Sequence, residues 1–316
     1  MKIRHPASRR LRCEWLEARL TLSAVPSLQA LAVTSIGHAT PVSTSSSNWS
    51  GYAVASGTNS VSAVVGSWKV PVVTGSGTAY SSAWVGIDGL NSSTVEQIGT
   101  DSDIVNGTAQ YYAWYEMYPK GSVDIASMTI KPGDTLSASV TYVSGSLFQL
   151  TITDGSQTFT TTQSARGAAK SSAEWIVEAP SSYAGVLPLA NFGAVSFANS
   201  SATINGVNGP VDNGWAGTQL DRINMASYGT SEDSTGGLTD TAGTTATSSF
   251  TVTYNTANPT TPTQPQHHGW GWGSSGWRQP NVPPRPAVAH SFESGHEVRD
   301  RLFASLETFV LEGLWA

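Results

Sequence analysis

Between about Thr44 and Asn255, the chain is a succession of short runs rich in Val, Thr, Ser and aromatic residues, separated by Gly, Asn and Asp. β-Branched and aromatic residues favour strands, whereas the separating residues favour tight turns. No window of this region has the 3.6-residue periodicity of an amphipathic helix. The pattern therefore predicts an all-β fold, an antiparallel sandwich or barrel.

Ten runs have the composition of strands. They are Val61–Val70, Ala79–Ile87, Ala109–Pro119, Ser127–Ile130, Thr135–Val143, Leu147–Thr153, Gln157–Gln163, Ala173–Glu178, Ala190–Phe197 and Ser248–Tyr254. Their spacing is that of one large β domain, which we place at residues 44–256.

The flanking segments differ in composition from this domain. Residues 1–43 are basic, and their stretch LEARLTLSA resembles a Leu-Glu-x-Arg segment at the start of some exported bacterial proteins. The alternative is a disordered basic leader. Residues 257–290, rich in Pro, Gly and Trp, are predicted to be a linker. Residues 291–316 carry an apolar stripe, from Val298 to Val310, that predicts an amphipathic helix.

The net charge of the predicted domain bears on which kinds of molecule it can bind. Residues 44–256 contain six Lys and Arg against fifteen Asp and Glu, a net charge of −9. Such a surface argues against nucleic acid, because phosphates require basic patches. The charges of the C-terminal helix argue against a membrane span. We therefore expect no nucleic acid partner and no membrane span. A monomer and a secreted or cell-surface location are further expectations.

The absence of two residue types limits the chemistry. Residues 44–256 contain neither histidine nor cysteine, which excludes imidazole-assisted nucleophiles and HExxH zinc sites. There is no Asp-Thr-Gly or Asp-Ser-Gly, so paired aspartates of the pepsin type are not expected. His267 and His268 stand in the linker, where we expect them to be inert. The analysis predicts no metal and no cofactor, and leaves carboxylates, amides and tyrosines as candidate catalytic groups.

Two predicted strands bring carboxylates next to aromatic residues. Alternation places Trp114 and Glu116 on one face of YYAWYEMYP, and Glu174 and Glu178 on one face of AEWIVE. A carboxylate among aromatic residues on a half-buried surface has its charged form disfavoured, which raises its pKa and suits acid–base chemistry. The alternative is that Glu174 and Glu178 simply face solvent.

Six ordered motifs resemble the glutamic peptidases, the eqolisins, over essentially all of residues 46–255. They are SNWSG (Ser47–Gly51), AWVGIDG (Ala83–Gly89), QIG (Gln97–Gly99), AWYEMYP (Ala113–Pro119), AEWIVE (Ala173–Glu178) and PLANFGAVSF (Pro188–Phe197). The resemblance implies a concanavalin-like sandwich of two bent antiparallel sheets. It also implies an acid endopeptidase in which Glu178 acts as general base and acid on water, while Gln97 positions that water and stabilises the oxyanion.

The same resemblance assigns supporting residues and reveals one departure. Positions that line the cleft or lie near the catalytic pair are Trp49, Trp84, Asp88, Trp114 and Glu116. Tyr112 stands where many members have an aspartate, so one supporting carboxylate is expected to be missing. Two other functions stay open: a β-sandwich that binds carbohydrate or peptide without cleaving it, and a glycosidase using two carboxylates such as Glu116 and Glu178.

Overall fold

The computed structural model describes residues 38–182, 185–226, 238–244 and 248–256. These residues form eighteen strands, and no helix occurs among them. The strands are β1 Val42–Ser46, β2 Trp49–Ala55, β3 Val61–Lys69, β4 Ser82–Ile87, β5 Val95–Val105, β6 Thr108–Tyr118, β7 Val123–Asp124, β8 Thr135–Ser144, β9 Leu147–Asp154, β10 Gln157–Ser164, β11 Ser172–Glu178, β12 Ser181–Ser182, β13 Gly185–Val186, β14 Ala194–Ile204, β15 Val207–Pro210, β16 Gln219–Met225, β17 Thr239–Thr241 and β18 Phe250–Tyr254.

Most of the strands belong to two large sheets. The front sheet has the order β1-β16-β2-β11-β4-β5-β6-β7, and the back sheet has the order β10-β9-β8-β3-β14-β18-β17, with β15 paired to β14. All pairings in them are antiparallel except that of β1 with β16. In the front sheet, neighbours such as β2 and β11 lie far apart in sequence, so long-range pairing brings the motifs together.

The main hydrophobic core lies between the two sheets. Apolar residues from one face of the front sheet, such as Val85 and Trp175, pack with residues of the back sheet such as Trp68 and Phe197. Each strand alternates its side chains between two faces, so every second residue contributes to this core. Trp68 and Trp175 are thus core residues.

A second, smaller apolar cluster covers the other face of the front sheet. It consists of Trp49, Ala53, Trp84, Leu90, Trp114, Ile176 and Ile223. All but Leu90 come from strands, and Leu90 comes from the loop between β4 and β5. The centre of the front sheet is therefore buried on both faces, as the fully buried β4 and β11 demonstrate.

The all-β prediction is confirmed, but two strand assignments were wrong in detail. Ser127–Ile130 is not a strand: it follows a turn closed by Met128 N donating to Ile125 O, and Met128 and Ile130 fill the core from a loop. Ala190–Gly193 precedes β14 as a loop, because Gly193 adopts a positive φ of 62° that interrupts an extended chain.

Strands β1, β2, β5 and β16 were not among the ten predicted runs. Their sequences, VSTSS, WSGYAVA, VEQIGTDSDIV and QLDRINM, mix β-branched and aromatic residues with Ser, Gly, Asp and other polar residues, which weakens the strand pattern.

The predicted flanks cannot be compared with the structure. The linker at 257–290, the helix at 291–316 and nearly all of the leader lie outside the described residues, so these boundaries stay predictions. Within the residues that the structure describes, there is no helix of sufficient length and hydrophobicity to span a lipid bilayer.

Candidate active site

The face of the front sheet that points away from the core carries three parallel rows of side chains. Each row contains one residue from each of β11, β4, β5 and β6, paired in register. The Glu178 row is Glu178, Ser82, Asp101 and Tyr112; the Trp84 row is Ile176, Trp84, Gly99 and Trp114; the Gln97 row is Glu174, Gly86, Gln97 and Glu116. Strand pairing thus gathers residues of four sequence motifs, AEWIVE, AWVGIDG, QIG and AWYEMYP, onto one surface.

Glu178 is held by two N–H donors. Trp84 Nε1 donates to its Oε2 at 2.8 Å, and Asn48 Nδ2 donates to its Oε1 at 3.3 Å. The side chain of Glu178 is only 3% exposed. Hydrogen bonds from N–H groups stabilise the ionised form of a carboxylate and fix its orientation. The alternative that Glu178 is a solvated outward-facing residue is therefore wrong.

Trp84 can occupy the centre of the site because glycines flank it. A Cβ built on Gly99 would lie 2.5 Å from both Trp84 Cβ and Ala83 O. On Gly86 it would lie 3.0 Å from the Trp84 ring atom Cζ3. The indole nitrogen thus contacts Glu178, and the opposite edge of the ring lies against Gly86 in the Gln97 row.

Gln97 is buried and hydrogen bonded at one end of its amide. Its Nε2 donates to Glu116 Oε2 at 2.6 Å, across the β5–β6 pairing. Its Oε1 is buried and has no hydrogen-bond partner in the structure. An amide nitrogen carries two hydrogens. The contact with Glu116 therefore leaves one N–H and the carbonyl oxygen of Gln97 for a ligand.

Trp49 and Trp114 belong to the aromatic cover of this face. Trp49 meets Trp84 edge to face, with ring centroids 5.1 Å apart, and Trp114 packs in the same cluster. Trp49 stands beside Glu178 in the β2–β11 register. These residues form an apolar surround, in which the interactions of a carboxylate are stronger than in water.

Asp88 is a structural cross-link at the end of β4. Its carboxylate accepts hydrogen bonds from the backbone N–H groups of Lys170 and Ser171, and from the hydroxyls of Ser171 and Thr94. Asp88 also has a positive φ of 68°, an uncommon conformation for a residue with a side chain. It ties the loop carrying Leu90 to the segment that leads into β11.

Tyr112 does not leave a gap where the resemblance implied a missing acid. Its hydroxyl lies 2.8 Å from Asp101 Oδ2 and 3.0 Å from Asp103 Oδ2, so one O–H is shared between two buried carboxylates. Asp101, Asp103 and Asn48 were not among the site residues predicted from the sequence. For the two aspartates a signal was available, because positions 97, 99, 101 and 103 of β5 share one face.

Two further glutamates are buried in surroundings that disfavour their charged forms. Glu174 is 0% exposed, and burial raises its pKa well above the ordinary range. Burial, reinforced by the negative charge of Asp88, raises the pKa of Glu96 to about 9. Among the described residues, no donor reaches the oxygens of either carboxyl group with ordinary hydrogen-bond geometry. These two groups are therefore neutral in the folded protein at acid pH, and the solvated alternative for Glu174 is also wrong.

Among the described residues, no group of three or more His, Cys, Asp or Glu side chains is arranged to hold a metal ion.

Comparison with known proteins gives matches that cover this β domain. The sequence model of the Peptidase A4 family matches residues 47–254. Aspergillopepsin-2 of Aspergillus niger is 36% identical over 194 residues, which are 53% of this chain and 68% of that protein. Scytalidopepsin B of Scytalidium lignicola is 35% identical over 175 residues, 51% of this chain and 65% of that protein.

Solved structures agree with the sequence matches. The crystal structure of scytalido-glutamic peptidase with a transition state analog inhibitor has a TM-score of 0.55 and 27% identity. The match covers 66% of this chain and 98% of the scytalido-glutamic peptidase chain. A second structure of that peptidase, with a peptide based transition state analog, gives a TM-score of 0.53.

The fold is therefore that of the glutamic peptidases, and the protein is a glutamic-type endopeptidase, a hydrolase of peptide bonds. The chain belongs to the Peptidase A4 family, the eqolisins. Of the three functions that the sequence left open, membership of this family supports the peptidase over the non-catalytic binding module and the glycosidase. It also implies polypeptide substrates.

Proposed function

We propose that Glu178 is the general base and Gln97 the oxyanion donor of this endopeptidase. The observation that carries the proposal is the environment of Glu178, a buried carboxylate with an N–H donor on each oxygen. A base must be ionised and oriented before it can take a proton. The contacts from Asn48 and Trp84 meet both requirements.

Gln97 complements this base. Its second Nε2 hydrogen can donate to a developing oxyanion, and its Oε1 can accept a hydrogen bond from the attacking water. Glu116 holds the other hydrogen and so fixes the plane of the amide. The role proposed for Glu116 is therefore to position Gln97.

The reaction then proceeds in two proton transfers. Glu178 takes a proton from water as the water oxygen attacks the peptide carbonyl carbon, and negative charge develops on the carbonyl oxygen facing Gln97. Protonated Glu178 next gives that proton to the amide nitrogen, the C–N bond breaks, and the amine leaves. Glu178 ends the cycle ionised, as it began.

Substitution of the two glutamates of β11 tests the proposal. Glu178→Gln keeps the shape and removes the base, so hydrolysis of a peptide substrate should be abolished while substrate binding persists. Gln97→Ala should lower kcat by about 10²–10³. Glu174→Gln is the matched control: it lies on the same strand and face, and it replaces a group that is already neutral. Equal losses in Glu174→Gln and Glu178→Gln would show that the catalytic carboxylate has been misassigned.

We also propose that the enzyme works in acid. A site without histidine has no group that ordinarily titrates near neutrality, and the leaving amine departs only when protonated. Hydrolysis of an unfolded protein substrate should peak below about pH 5, near the ordinary titration range of glutamate, and be weak at pH 7. It should survive chelators and thiol reagents. A neutral optimum, or loss of activity with a chelator, would contradict the mechanism.

Finally, we propose that the protein is secreted or displayed at the cell surface and acts as a monomer without nucleic acid. The acidic domain and the basic leader, with its export-like LEARLTLSA stretch, support this location. Detection of activity in the medium or on intact cells tests it, and light scattering of the purified chain tests the monomer. Activity confined to the cytoplasm would contradict the proposed location.

A further inference from the structure

Ser82 lies beside the proposed base and has an unused hydroxyl. It is paired in register with Glu178 on β11 and with Asp101 on β5, so its side chain stands between those two carboxylates in the Glu178 row. Ser82 is 2% exposed, and its Oγ has no hydrogen-bond partner among the residues that the structure describes.

An unpaired buried hydroxyl is costly, because it has lost its hydrogen bonds to water without replacement. Two nearby hydroxyls are paired: Ser81 Oγ, one residue earlier, donates to Ser102 O at 2.6 Å, and Ser50 Oγ is hydrogen bonded with Thr239 Oγ1. Ser200 in the back sheet has an unpaired hydroxyl as well, so it is the place of Ser82 beside the proposed base, together with its unused hydroxyl, that points to a ligand.

A second unused donor stands on the other side of Glu178. Trp49 is the β2 partner of Glu178 in the register, and its Nε1 is buried without a hydrogen-bond partner. Glu178 itself is engaged at both oxygens by Trp84 and Asn48. The row thus presents a fixed base between two polar groups that are available to a bound molecule.

We propose that the Ser82 hydroxyl is a further polar contact of the reacting atoms, hydrogen bonded to the attacking water and then to the tetrahedral intermediate. This inference rests on the proposed role of Glu178. A hydroxyl can accept from water in the ground state and donate to the oxygen that becomes negative in the transition state. Ser82 forms no covalent bond to the substrate: Glu178 takes the proton, and water supplies the new oxygen.

Ser82→Ala in the full chain tests the proposal. We expect kcat for a peptide substrate to fall about 10- to 100-fold, somewhat less than the loss of a main oxyanion donor, with KM changed less than about twofold. Affinity for a peptide carrying a tetrahedral phosphinate in place of the scissile amide should fall by a similar factor, because such analogues report transition-state contacts. The thermal midpoint should stay or rise, since an unpaired buried hydroxyl is removed.

Ser200→Ala is the matched control. Ser200 is equally buried, its hydroxyl is also unpaired, and it lies in β14 of the back sheet. It should show the same change in thermal midpoint with unchanged kcat. Ser82→Cys keeps the shape with a weaker donor and should be intermediate in kcat, so it carries the test if Ser82→Ala fails to fold.

Three outcomes would overturn the proposal. Wild-type kcat and phosphinate affinity in Ser82→Ala would show that the hydroxyl touches no reacting atom. A loss of stability with proportionate loss of active enzyme would show a structural role. A loss of kcat beyond about 10⁴ would indicate a covalent nucleophile, since triad members contribute on that scale. Activity retained in Glu178→Gln would instead contradict the proposed base, independently of Ser82.

Discussion

The Trp84 indole acts on Glu178 in two ways. Trp84 Nε1 makes the shorter of the two hydrogen bonds to the Glu178 carboxylate, and the ring packs against Trp49 and Trp114. One residue therefore both donates to the base and covers it. These two contributions can be separated, because phenylalanine retains an aromatic ring without the N–H group.

Trp84→Phe should lower kcat more than it raises KM. We expect a loss of about 10- to 100-fold, in the range for one catalytic hydrogen bond. The acid limb of the pH–rate profile should move to higher pH, because the carboxylate loses a donor that stabilises its charge. Steady-state kinetics from pH 2 to 7 measure both effects.

Trp68→Phe is the control, because it also removes an indole N–H hydrogen bond but in the core. Trp68 Nε1 donates to Thr100 Oγ1 at 3.0 Å in the core between the sheets. Its loss should lower the thermal midpoint without changing the pH–rate profile. A profile unmoved in Trp84→Phe would show that the indole N–H does not influence the base.

At the scale of the strand, the site depends on two positions without side chains. Gly86 on β4 and Gly99 on β5 leave the room that the Trp84 ring and backbone occupy. Glycine weakens a strand, since it adds no packing and loses more entropy on folding. Its presence at the centre of the front sheet is explained by this close approach.

Gly99→Ala should destabilise the protein and abolish activity. The new Cβ would lie 2.5 Å from the backbone oxygen of Ala83, which cannot yield without separating β4 from β5. Overpacking of a core typically costs about 1–3 kcal/mol, and more when backbone must move. Thermal denaturation and residual activity measure the effect. Gly121→Ala, where a Cβ meets nothing within 4 Å, should be neutral; equal stability of the two variants would contradict the packing argument.

At the scale of the whole molecule, buried neutral carboxyls link stability to pH. Glu96 and Glu174 have raised pKa values in the folded state, whereas in the unfolded chain glutamates titrate near about pH 4.3. Between that pH and their folded pKa values, the folded protein binds more protons than the unfolded chain. The free energy of unfolding therefore falls as the pH rises through this window.

These two groups should make the protein most stable in acid and progressively weaker between about pH 4 and pH 9. Between its unfolded and folded pKa values, each group lowers the free energy of unfolding by up to about 1.4 kcal/mol per pH unit. Glu174→Gln removes one contribution, so its stability relative to wild type should increase with pH. Urea unfolding midpoints from pH 4 to 8 measure this difference, and parallel curves for the two proteins would contradict it.

The described domain should also be autonomous. A chain trimmed to residues 38–256 contains every strand of both sheets and all residues of the candidate site. We expect it to fold with the stability of the full chain and to hydrolyse peptides at the same rate, as measured by thermal denaturation and kcat. If the trimmed chain were insoluble while the full chain folded, residues outside this range would belong to the core.

Much of the fold and part of the site could be predicted from sequence. The β-rich runs predicted an all-β sandwich or barrel, and the resemblance to the eqolisins implied the sandwich. The alternation in AEWIVE placed Glu174 and Glu178 on one face. The contrast between those two glutamates was not visible in the sequence. Glu178 accepts hydrogen bonds from two N–H donors, whereas no donor among the described residues reaches Glu174 with ordinary hydrogen-bond geometry. The hydrogen-bond donors to Glu178, Asn48 and Trp84, are distant from it in sequence.

Alternation within a strand is local, because adjacent side chains of an extended chain must point to opposite faces. The sequence alone therefore determined the β character of the domain, the faces of its strands and the absence of imidazole and thiol chemistry. The order β2-β11-β4-β5-β6 and its register are long-range properties, set by the simultaneous burial of two faces of the front sheet. Only the tertiary structure could decide which carboxylates are hydrogen bonded, which are buried and neutral, and that Ser82 stands between Glu178 and Asp101.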